Sequence, residues 1–146
     1  MPNTPSPSPG PRPKRNRHLP PGLFILHEDQ HLLIVEKPPG LLTMATDRER
    51  ERTAYAAITD YVRKGAAKSP HRIFIVHRLD REASGLLVFA RSELVKRSLQ
   101  DNWDAVEKRY VAVVHGQPRE PKGVLRAYLA ENKALRVYVT PDSGQG

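Results

Sequence analysis

Val76-His77-Arg78-Leu79-Asp80-Arg81-Glu82-Ala83-Ser84-Gly85-Leu86-Leu87-Val88-Phe89-Ala90 sets two apolar segments on either side of six polar or small residues. The β-branched and aromatic content of residues 72–79 predicts a strand, and the unbroken apolar run 86–90 predicts a second that follows at once. A connection this short is held at the edge of a sheet and presents its side chains in fixed positions. Gly85 permits a sharp backbone reversal, and Ser84 can close the loop with a side-chain hydrogen bond. Asp80 stands where the first strand ends, between the cations Arg78 and Arg81, which favour its carboxylate form. That form can serve as a nucleophile or a base. Composition alone favours a plainer alternative, because charged loops are common: Arg78, Asp80, Arg81 and Glu82 as a solvated cluster of surface charges with little energetic consequence.

Outward from this stretch the patterning stays globular. Residues 23–37 hold two apolar runs around Glu28-Asp29-Gln30, which predicts a β-hairpin ended by Pro38-Pro39-Gly40. After a charged loop over residues 47–52, helical spacing of Ala54, Ala57, Ile58, Tyr61 and Val62 predicts a short amphipathic helix, with Thr53 as N-cap and Gly65 just past its end. Ser92 is placed to cap a second helix through Leu94, Val95, Ser98, Leu99, Trp103 and Val106. Residues 108–115 alternate like a strand, and residues 124–130 with 134–140 resemble a hairpin turning at Glu131-Asn132-Lys133. Seven strands against two helices predict an α+β fold with a largely antiparallel mixed sheet and few helices.

Composition limits the chemistry. The 146 residues contain no Cys, so no disulfide framework, thiolate nucleophile or cysteine-based metal site is available. The six His show no ligand-like spacing, and no metal site is expected. No apolar run approaches the roughly 18 residues of a membrane span. Of the formal charge of +8, half belongs to residues 1–22, where eight of 14 prolines accompany Arg12, Lys14, Arg15 and Arg17 without any acid. Such a segment buries too little apolar surface to offset the entropy of ordering, so a disordered arm is expected. It lacks the apolar core of a secretory signal and the helix-forming character of a transit peptide, which points to the cytoplasm. Its cations suit sequence-independent phosphate contacts, or else only keep the chain soluble.

The string His77-Arg78-Leu79-Asp80-Arg81-Glu82-Ala83-Ser84-Gly85-Leu86-Leu87 closely resembles the catalytic signature of the RluA family of pseudouridine synthases, with Ala83 where Thr is usual. Glu36-Lys37-Pro38-Pro39-Gly40-Leu41 is similar to that family's first motif. Lys108-Arg109-Tyr110-Val111-Ala112-Val113-Val114-His115-Gly116 is similar to its Lys-x-Tyr-x-Ala-x-Val-x-Gly segment. The three motifs follow one another in the expected order across residues 24–140.

The resemblance implies the pseudouridine synthase catalytic fold and an isomerase that converts uridine to pseudouridine in structured RNA, rRNA or tRNA, without cofactor or metal. It implies Asp80 as the nucleophile and Arg78 as the residue that fills the space left by a turned-out base and holds phosphates. It implies Tyr110 stacking on the uracil. His77 and Arg81 are expected to orient the loop or touch RNA. An acid–base role for His77 is attractive because imidazole titrates near neutrality, but that chemistry needs no imidazole. A late Gly-Arg-x-His-Gln-Ile-Arg-like run, which would supply a basic partner for Asp80, is missing from the sequence. Residues 23–146 therefore read as the N-terminal part of a catalytic domain, incomplete at its C terminus and expected to be monomeric. A non-catalytic RNA-binding fragment is the alternative function.

Overall fold

In a computed structural model, residues 18–46, 52–134 and 136–141 are described, and they fall into two compact units divided after Glu107. Most of the expected N-terminal arm, the charged loop 47–51, Leu135 and residues 142–146 lie outside the described residues.

The first unit rests on a four-stranded antiparallel sheet of β1 (Phe24–Glu28), β2 (Leu32–Lys37), β3 (Phe74–Ile75) and β4 (Gly85–Ala90), in the order β1-β2-β4-β3. The hairpin of β1 and β2 turns on Asp29, whose Oδ1 accepts hydrogen bonds from His31 N and Leu32 N, each at 2.7 Å. A carboxylate satisfying two turn amides holds the reversal without needing glycine. Its three hydrogen-bond donors, led by His27, hold the Asp29 carboxyl well below the usual carboxylate range.

Alternation decides which face of the sheet is covered. Leu33 pairs with Phe89 and Val35 with Leu87 across the two central strands, and all four side chains are fully buried. Helix α1 (Ala54–Arg63) adds Ala54, Ile58 and Val62 to the same cluster, joined by Leu19, Leu23 and Ile73. Each large apolar side chain removed from water here contributes about 1.5–3 kcal/mol. Thr53 caps α1 by accepting from Ala56 N at 3.1 Å. The helix ends with Lys64 and Gly65 both left-handed, at φ 52° and 74°, where glycine carries no steric penalty. Helix α2 (Glu93–Asp101), capped by Ser92 accepting from Val95 N at 3.2 Å, packs against β3 and β4.

The elements depart from the sequence expectation in four places. The strand expected over residues 72–79 forms ladder pairs only at Phe74 and Ile75. Beyond them Val88 N, which would continue the ladder, donates to His77 Nε2 at 3.2 Å, and Leu79 bonds to a side chain. The second helix stops at Asp101, where Asn102 Nδ2 donates back to Ser98 O at 2.8 Å, and Trp103 begins a separate 3-10 turn. Residues 108–115 are exposed and form no strand, because alternation sets a strand's pattern but does not supply the neighbouring strand it must pair with. The second unit's regular structure is a hairpin of β5 (Tyr128–Glu131) and β6 (Val137–Thr140), shorter than expected. Asn132 Oδ1 closes its turn by accepting from Ala134 N and Arg136 N.

Candidate active site

Lys37 obeys the alternation that buries Leu33 and Val35, so its side chain enters the protein rather than the solvent. Opposite it in the ladder stands Gly85, at φ 134°, a backbone state that suits a residue without Cβ. A buried ammonium needs acceptors on every side. Lys37 Nζ finds three carbonyls: Leu41 O at 2.6 Å, Pro38 O at 3.0 Å and Arg81 O at 3.2 Å. Burial lowers its pKa, while the carboxylates of Glu82 and Asp80 act in the opposite sense. The lysine thus ties the Pro38-Pro39-Gly40-Leu41 loop to the polar loop after residue 79.

Two further links complete the tie. Gly40 N donates to Arg81 O at 2.8 Å, and Arg81 Nε returns a bond to Gly40 O at 3.1 Å. Thr43 Oγ1 donates to Leu79 O at 2.7 Å and accepts from Leu79 N at 3.1 Å, so one hydroxyl satisfies both backbone groups of that residue. Thr43 is itself fixed to the start of α1 through Tyr55 N, which donates to its carbonyl at 3.0 Å. Asp80 therefore sits between two residues whose backbones are both held. Its own carbonyl accepts from Ala83 N at 3.2 Å, closing the loop as a turn.

Asp80 faces a cleft of about 490 Å³ whose walls include Thr43, Met44, His77, Arg78, Arg81 and Trp103. His77 is half-buried, and its Nε2 accepts from Val88 N, which in the neutral ring leaves the proton on Nδ1. Its ring stacks on Trp103 with centroids 4.9 Å apart and an interplanar angle of 29°. Arg78 is exposed, with Nη1 3.9 Å from the Met44 sulfur. No ion pair between Arg78 and Asp80 forms among the described residues. A carboxylate at the mouth of a cleft, beside the exposed Arg78, suits chemistry on a polyanion.

Four of the five residues singled out in the sequence, His77, Arg78, Asp80 and Arg81, thus line one cleft. Tyr110 belongs to the second unit, where it is 72% exposed. Sequence reasoning missed Lys37, Thr43 and Trp103 as parts of the site. For Lys37 a signal existed: its parity with Leu33 and Val35 puts it on the core face, where an unpaired lysine needs an explanation. Thr43 and Trp103 carry no comparable mark.

Residues 31–145 match the family described as RNA pseudouridylate synthase. The chain belongs to that family. Among curated relatives, ribosomal large subunit pseudouridine synthase C of Rickettsia typhi is 29% identical over 126 residues, covering 84% of this chain and 40% of the relative. The tRNA pseudouridine synthase C of Pectobacterium carotovorum is 32% identical over 126 residues, covering 82% of this chain and 31% of its own. The chain spans less than half the length of these members of the family. A solved human structure, RNA pseudouridylate synthase domain containing 4, aligns over 56% of this chain and 29% of its own with a TM-score of 0.46 and 22% identity. Among the described residues no helix is long and apolar enough to cross a membrane.

Proposed function

We propose that this chain carries the nucleophile-bearing part of an RNA pseudouridine synthase, and that Asp80 is the nucleophile. The observation that supports this most directly is the double clamp on Asp80: Thr43 fixes the residue before it, and Lys37 with Gly40 fixes the residue after it. A carboxylate held in this way loses little freedom when it attacks, which lowers the entropic part of the barrier.

The reaction is an isomerisation in which nothing is gained or lost overall. The Asp80 carboxylate adds to the nucleoside, the N1–C1′ bond breaks, and the uracil turns within the cleft. C5 then bonds to C1′, the C5 proton departs, N1 takes up a proton, and the carboxylate is released. A uridine inside structured RNA must leave its stack to reach Asp80. Arg78, exposed beside the cleft, is suited to hold the backbone on either side of the extruded nucleotide, with Arg81 and His77 shaping the wall. In this reading Tyr110 stacks on the uracil, contributing about 1–3 kcal/mol. The substrate is rRNA or tRNA, and the protein acts as a monomer in the cytoplasm.

Release of tritium from RNA labelled at uracil C5 tests the proposal, because the label leaves only when C5 is glycosylated. The protein should release it and Asp80→Asn should not. Equal release by the variant overturns the role of Asp80, and RNA retention without any release by the unmodified protein favours the non-catalytic RNA-binding alternative.

A further inference from the structure

A second groove of about 430 Å³ lies against α1, β3 and α2 and shares the wall formed by Met44 and Ala45 with the Asp80 cleft. Its floor is apolar and aromatic, with Tyr55, Ile73 and Phe74, and its rim carries Arg63, Arg72 and Lys96. Among the described residues no carboxylate lines it. Two polar atoms buried beside it, Thr59 Oγ1 and Arg63 Nε, have no hydrogen-bond partner among the described residues. Buried donors are rarely left unmatched, and each unmade bond costs about 1–3 kcal/mol.

We propose that this groove seats the single-stranded RNA next to the target uridine, its phosphates held by Arg63, Arg72 and Lys96 and a flanking base laid on Tyr55 and Phe74. This deepens the function proposed above and rests on it. Three cations around aromatic side chains match what a single strand offers, alternating phosphates and π-faces, better than what a folded protein partner offers. Small rotations of the Arg63 and Thr59 side chains bring these two donors to the groove, where phosphate oxygens accept without donating. Lys96 has a competing partner, Glu93, but at 3.5 Å that is a long, part-buried pair within one helix, and Arg97 stands 3.4 Å from the same carboxylate to replace it. The shared Met44–Ala45 wall makes the two clefts neighbours.

Affinity of the full chain for a short single-stranded oligoribonucleotide containing one uridine, measured across a salt series, tests the proposal. For single strands the log–log salt slope falls by about 0.7 per phosphate contact, so the Arg63→Gln/Arg72→Gln/Lys96→Gln variant should lose about two from the slope. A control with Arg119→Gln, Lys122→Gln and Lys133→Gln, which removes equal charge from the second unit, should lose clearly less. Arg72→Glu alone, at an exposed position, should weaken binding even if the triple variant folds poorly. An unchanged slope in the groove variants, an equal loss in the control, or displacement of the RNA by inorganic phosphate or an acidic peptide at comparable concentration overturns the groove alone. No RNA binding by the unmodified chain overturns the RNA function itself, and the groove with it.

Discussion

Exchanging Asp80 for Asn keeps the side-chain volume and removes the negative charge that makes its oxygen a nucleophile. Isomerisation should fall at least about 10³-fold, while retention of RNA on a filter changes little. Lys37 offers a different experiment. Its ammonium is expensive to bury, yet three carbonyls depend on it. Lys37→Met removes the cost of burying the charge but leaves those carbonyls without their donor, so urea unfolding should register a net loss of about 1–3 kcal/mol. Activity should drop at least about tenfold, because a small displacement of the loop carrying Asp80 is amplified in rate. A loss of stability large enough to explain the loss of activity would show that the lysine only supports the fold.

Between elements, the contacts that matter run from side chains to distant backbone. Thr43→Val deletes the one oxygen that serves both Leu79 N and Leu79 O, and should cost about 1–3 kcal/mol in denaturant unfolding. Thr43→Ser should restore most of it. Tyr61 of α1 donates to Glu28 of β1 at 2.8 Å, and Glu28 is also paired with Arg91 after β4. This bond, helped by burial, raises the Tyr61 pKa above its ordinary 10.0. A group whose folded pKa is raised contributes stability in full below the unfolded value and loses it as pH climbs through the folded one. The stability gap between the unmodified protein and Tyr61→Phe should therefore be widest below about pH 10 and close above it, as followed by thermal unfolding across alkaline pH.

These same contacts explain what could be read from the sequence. Thr53 and Ser92 cap the helices as expected, because caps are local, and the β1–β2 hairpin follows from two apolar runs around an aspartate. The His77–Gly85 loop was legible as a unit through its motif. The length of β3 was not, since it depends on His77 offering its ring to Val88, eleven residues further along the chain. Thr43 was invisible for the same reason, its partner being 36 residues away. For residues 108–115, alternation gave the pattern of a strand but could not provide the neighbour a strand requires.

At the scale of the whole molecule, charge should govern how RNA arrives. Four cations among residues 1–17 account for half of the formal +8. Removing that segment should lower the rate of RNA association at low ionic strength, with the difference vanishing as salt approaches roughly 1 M, where the screening length is about 3 Å. Stopped-flow mixing across a salt series would measure it. An unchanged rate at low salt would assign steering to the globular part alone.

Trp103 is the only tryptophan in the chain, and it lies in the wall of the Asp80 cleft against the His77 ring. The protein is thereby supplied with a built-in optical reporter at its site. A nucleobase entering the cleft changes the surroundings of the one indole whose emission is recorded, without dye or label. Occupation of the neighbouring groove, whose walls lack that ring, should leave the spectrum nearly still. Titrating RNA while watching both emission and binding would therefore tell when a strand has merely landed and when a base has been turned in toward Asp80.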